Sequence, residues 1–134
     1  MRLLINRGNL QNPKSYPYWE EFLTLIPEHE VKEIKGILPE QEIIDLVNWA
    51  DCVICIDSFL PHLIKYHNLK TKVICLWGKS DPLIFGYKEN INLLKDRKNL
   101  RQDQFRWWTG VVCEPNDFVS PEVLSKTIKE LGVL

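Results

Sequence analysis

Apolar and polar positions along this chain switch between two periods. Short runs of strand length, at residues 2–6, 30–34, 52–56, 72–77 and 90–94, are separated by stretches whose apolar residues recur every three or four positions. Strands alternating with helical patterns are the sequence sign of βαβ units around a parallel sheet. The run 52–56 (Cys-Val-Ile-Cys-Ile) is apolar throughout, as a strand covered on both faces must be, and so predicts the centre of the sheet.

The helical pattern predicts a first helix from about Pro17 that carries Trp19, Phe22, Leu23 and Ile26 on one face and stops before Pro27. A second is expected over residues 39–50, opened by Pro39, with Glu40 and Glu42 early and Ile43, Ile44, Leu46 and Val47 inside. A third follows over residues 61–67. The last starts at Pro121 behind a Ser120 cap, buries Val123, Leu124, Ile128 and Leu131, and ends at Gly132. Residues 78–87 read as a loop rich in breakers, and residues 110–113 as a short strand. The expected architecture is one α/β domain over residues 1–134, a Rossmann-like, doubly wound and mostly parallel sheet.

Composition adds limits. With 17 basic and 18 acidic residues the formal net charge is −1, so no global field recruits nucleic acid or an anionic membrane. No apolar stretch reaches the length of a membrane span, and the first residues lack the pattern of a signal peptide, so the expectation is a cytoplasmic protein. Four cysteines raise the question of a metal. Cys52 and Cys55 have Cys-x-x-Cys spacing, but on a strand positions three apart face opposite ways. Buried, reduced thiols are expected, with no metal site.

In an open parallel sheet, ligands bind beyond the carboxyl ends of the strands. Three loops fall there. Asp57-Ser58-Phe59-Leu60-Pro61-His62 leaves the central strand and enters a helix, where Ser58, the first-turn amides and His62 can meet phosphate or sugar oxygens. As a bare structural element, the same Asp57 and Ser58 would simply cap the helix. Gly78, Lys79 and Ser80 follow the next strand and offer close backbone approach, a charge and a hydroxyl. Arg7, Gly8, Asn9 and Lys14 follow the first strand, and the two cations can balance a diphosphate. Trp107 and Trp108 can stack on a ligand, although packing is the commoner fate of tryptophan. Walker A, GxGxxG, GxSxG and HExxH motifs do not occur.

Together these loops resemble the C-terminal half of family 9 glycosyltransferases, the heptosyltransferases of bacterial lipopolysaccharide assembly. That family ends a strand in Asp-Ser/Thr-Gly-Pro-Met-His, and Asp57, Ser58 and His62 stand at the same spacing. Its next strand runs into Leu-Phe-Gly-Pro-Thr-Asp-Pro, to which Leu76-Trp77-Gly78-Lys79-Ser80-Asp81-Pro82 is similar. Arg7-Gly8, Lys14, Pro17 and Trp19 resemble its opening loop and helix, and Val119-Ser120-Pro121-Glu122-Val123 its closing helix. The resemblance implies one half of a two-domain enzyme and a nucleotide diphosphate sugar as ligand, such as an ADP-linked one, with no further cofactor. It places Lys14, Ser58, His62 and the Gly78-Lys79-Ser80 loop near the diphosphate, with Asp57 organising the turn. The catalytic base and acceptor contacts of that family lie in a second domain, so a partner chain, a dimer mate or a further domain is expected. Phe59 replaces the family glycine.

Two other classes are compatible with the same residues. A non-catalytic interaction module would keep the fold and present Phe59 and Trp107-Trp108 as an apolar patch. A deoxyribosyltransferase-like enzyme would use Asp57 as nucleophile, but a matching second glutamate motif does not occur.

Overall fold

The computed structural model describes residues 1–8, 14–105 and 113–133. Five strands form one sheet: β1 (Arg2–Asn6), β2 (Glu30–Glu33), β3 (Cys52–Ile56), β4 (Lys72–Trp77) and β5 (Ile91–Leu94). Their order is β2-β1-β3-β4-β5 and every neighbouring pair is parallel. The helices are α1 (Trp19–Thr24), α2 (Glu40–Trp49), α3 (Phe59–Tyr66), α4 (Pro82–Phe85) and α5 (Pro121–Val133), with 3-10 turns at Arg97–Asn99 and Pro115–Asp117. This is a Rossmann-like α/β fold.

Strand alternation divides the core in two. Leu3, Ile5, Cys52, Ile54, Ile56, Ile74 and Leu76 pack with Trp19 and Phe22 of α1 and Leu124 and Ile128 of α5. Leu4, Val53, Cys55, Val73, Cys75 and Trp77 pack on the opposite face with Ile43 and Val47 of α2 and Leu60 and Ile64 of α3. The period of two is what sends Cys52 and Cys55 to different layers. All five residues of β3 are buried because helices cover both of its faces. The edge strand β2 instead alternates Glu30, Val31, Lys32 and Glu33, and its charges discourage further strand pairing.

Three helices differ from the sequence pattern. α3 starts two residues before Pro61, because Ser58 takes the N-cap position and Pro61 still lies in the first turn, where its missing N–H costs no intrahelical bond. The 78–87 stretch contains the short helix α4, nucleated where the Asp81 carboxylate accepts the Leu83 N–H at 2.9 Å and Pro82 holds the first helical position. α5 continues through Gly132 to Val133, one residue past the expected stop. The expected strand at 110–113 lies outside the described residues except for Cys113. Among the described residues no helix is long and apolar enough to cross a membrane.

Candidate functional site at the sheet switch point

β1 leads to α1 on one face of the sheet, whereas β3 leads to α3 on the other. The connections therefore part at the carboxyl ends of β1 and β3, which are adjacent strands with Asn6 opposite Cys55. Such a parting opens a crevice where neither helix can cover the strand ends. Here it is about 390 Å³, lined by Asn6 and Gly8 after β1, Ile34, Gly36 and Ile37 after β2, and Ser58 and Phe59 at the start of α3.

Sequence reasoning placed Gly8 and Ser58 at a site, and the structure brings them to this one crevice. Lys14 and Asp57 form an ion pair beside it, with Nζ 2.9 Å from Oδ2, and tie the β1 loop to the β3 loop. Asp57 is almost wholly buried, so its charge needs this partner. Ser58 occupies the N-cap of α3, yet among the described residues its side chain makes no capping hydrogen bond. The first-turn amides of α3 are thus left without a side-chain cap at the crevice.

Arg7 sits between two carboxylates, with Nη1 2.5 Å from Glu20 Oε1 and Nε 2.6 Å from Glu33 Oε1. Burial pulls its guanidinium down, but Glu20 and Glu33 outweigh that and hold it above its ordinary value. Asn9 lies outside the described residues, as do Trp107 and Trp108.

The loop after β4 is braced from within. Lys79 pairs with Asp117 at 3.2 Å, and Ser80 is buried at 4% exposure. The Gln104 amide donates to the Lys79 and Arg101 carbonyls at 2.9 and 2.8 Å and accepts the Asp81 N–H at 2.8 Å. Arg97 grips Asp81 with two bonds of 3.0 and 2.7 Å, which hold the Asp81 carboxyl below its ordinary range. Gly78 has a packing reason of its own: a Cβ there would stand 2.8 Å from both Cys113 Sγ and Phe118 Cζ. The Cys113 thiol is raised mainly by burial, and it feels the charges of Asp117, Lys79 and Lys14.

His62 lies apart from the crevice. It is exposed on α3, its Nδ1 is 2.5 Å from the Tyr87 hydroxyl, and the two rings meet edge to face at 5.4 Å. Lys65, one turn on, pairs with Glu89 and lies over the same Tyr87 ring.

Three structural partners were not legible as site residues: Asn6, Asp117 and Gln104. Asn6 carried a signal, being a polar residue at the last position of an apolar strand, directly before the Arg7-Gly8 turn. Asp117 and Gln104 carried none, since only folding brings them to Lys79.

Arg7, Lys14 and Lys79 each face carboxylates, so the donors that the crevice presents are neutral: the Asn6 amide and the first-turn amides of α3, while the Ser58 hydroxyl donates to the Ile56 carbonyl at 3.5 Å and offers its oxygen. That combination suits an oxygen-rich anion at a helix N-terminus beside a narrow apolar wall. No protein-family model, no curated protein and no solved structure matches this chain.

Proposed function

We propose that this chain binds a nucleotide diphosphate sugar in the crevice between β1 and β3 and serves as the donor-binding half of a heptosyltransferase-like glycosyltransferase. The observation that carries the reading is the switch-point crevice itself, where Ser58, Gly8 and the uncapped start of α3 converge. The diphosphate would lie against the start of α3, where the helix dipole and free amides favour anionic oxygens. Lys14 would add charge from the rim while keeping Asp57 neutralised. Ile34, Ile37 and Phe59 would take an apolar or planar part of the ligand. Lys79 and Ser80 support the neighbouring loop, and His62 would need to leave Tyr87 to reach the ligand. Transfer itself would need a second domain, a partner chain or a dimer mate to supply acceptor contacts and a base.

Calorimetry and thermal shift against ADP, UDP, GDP, CDP and TDP and their sugars test this. The expected result is a base-selective rise in melting temperature, diminished in Ser58→Ala. A flat response to every nucleotide would overturn it.

A second reading has its own support. Ile37, Phe59, Leu83 and Ile84 are exposed on the connections after β2, β3 and β4, and the exposed Phe105 sets its ring edge to face against Phe85 of α4. An interaction module would use this face for a protein partner, and it is favoured if nucleotides do not bind while the chain self-associates in sedimentation.

A further inference from the structure

The end of β1 holds a polar group that the fold leaves incomplete. Asn6 is 3% exposed, and its Oδ1 accepts the Gly8 N–H at 3.1 Å. A backbone N–H can be met only by an acceptor, so this bond determines which end of the amide is oxygen. The other end is therefore an NH2 group. Among the described residues that Nδ2 has no hydrogen-bond partner. Buried donors left so are rare, because nothing replaces the water they surrender. The turn does not explain the choice, since an aspartate would accept from Gly8 equally well.

The same crevice contains a second incomplete donor set. α3 has eight residues, its N-cap Ser58 makes no capping bond, and both Ser58 and Phe59 line the crevice that Asn6 lines from the other side of the switch point. A helix start and a residue with a buried amide that line one cavity can share one group with several acceptor oxygens. A phosphoryl group has that form, and it can accept from both without moving the neighbouring ion pairs.

We infer that Asn6 is a specificity-determining residue of the crevice, donating from Nδ2 to a phosphoryl oxygen whose sister oxygens meet Ser58 and the start of α3. The inference rests on the reading of this crevice as a nucleotide diphosphate site, and adds the residue that reads the phosphoryl group. Asparagine then has a reason beyond the Gly8 turn and the cost of burying a charge: aspartate would keep that turn but set a carboxylate against the ligand's anion.

Calorimetry of the full chain and of Asn6→Asp against pyrophosphate, ADP and adenosine tests it, with the side-chain amide resonances of wild-type Asn6 as a second measurement. Pyrophosphate and ADP should each lose about tenfold or more in affinity in the variant. Both should shift the Asn6 NH2 signals, whereas adenosine should leave them in place. Equal affinity in Asn6→Asp, or unmoved Asn6 signals while ADP binds, would reduce Asn6 to a turn residue and overturn the inference alone. Signals shifted by adenosine but not by pyrophosphate would overturn the phosphoryl assignment. If the wild type binds none of the three, the reading of the crevice fails and the inference falls with it. Should the variant not fold, the wild-type resonances decide.

Discussion

The Lys14 ammonium lies 2.9 Å from the Asp57 carboxylate, joining two loops 43 residues apart in sequence. One loop follows β1 and the other follows β3, so the pair ties together the loops after two adjacent strands in the same act by which it neutralises a buried acid. Such a pair matters more through what its loss would leave behind than through its own attraction.

Lys14→Met should therefore destabilise the chain by about 1–3 kcal/mol, because Asp57 keeps its burial without its partner. The double variant Lys14→Met/Asp57→Asn should recover part of that loss. Urea unfolding of the four proteins in the cycle measures it. Additive effects would show that the pair is not coupled.

Gly78→Ala should cost about 1–3 kcal/mol without any ligand present, since its Cβ would meet the Cys113 sulfur and the Phe118 ring. The check is a melting curve of the apo variant. An unchanged melting temperature would mean that this glycine is not demanded by packing.

Three of the four thiols should be silent towards a thiol reagent in the native chain. Cys52, Cys55 and Cys75 are buried, and burial pushes Cys52 up to about 12. Cys75 stands opposite Cys55 across the β3–β4 pair and is raised first by its hydrogen bond with Cys55 and then by burial. Cys113 is half-buried and raised by burial, so it should react slowly at neutral pH. Titration with and without denaturant counts the groups. Rapid modification of more than one thiol in the folded chain would contradict the packing.

Acid should weaken the fold in part through Asp81. Its carboxyl is held below the ordinary value first by the Arg97 hydrogen bonds, opposed by burial and helped by the Leu83 N–H. A depressed folded value means that the contribution is complete above the unfolded carboxyl value of about 3.9 and is lost as pH falls through the lower folded value. Asp51, bonded by the Arg2 backbone and side chain, acts with the same sign. Unfolding measured from pH 6 to 2 should fall less steeply in Asp81→Asn than in the wild type, while that variant is less stable at pH 6. Parallel curves would remove Asp81 from the account.

Much of this architecture was legible along the chain. Strands β1, β3 and β4 fall at the residues their apolar runs mark, and the stripes Trp19/Phe22, Ile43/Val47 and Leu124/Ile128 are the faces their helices bury. These are local signals: a period of two or of 3.6 is written into neighbouring residues and survives whatever the rest of the chain does. α4 was hidden because four residues hold too little periodicity to announce a helix. Its Asp81 cap and Pro82 start were visible but read equally as a turn.

The loops that gather at the carboxyl end were equally visible in sequence, and Gly8 and Ser58 do meet at one crevice. Which side chains remain available there was not visible. Lys79 looked like a free cation until folding set Asp117 against it, and His62 shared a motif with Ser58 until α3 turned it towards Tyr87. Asn6 gained its importance only when β3 came to lie beside β1 and buried its amide. By itself, the sequence determined the five strands, the four longer helices and their order, because those follow from short-range patterns. Tertiary structure alone decided pairing, burial and the unfilled donors of the crevice, because a charge or a hydrogen bond is satisfied by whatever lies nearest in space.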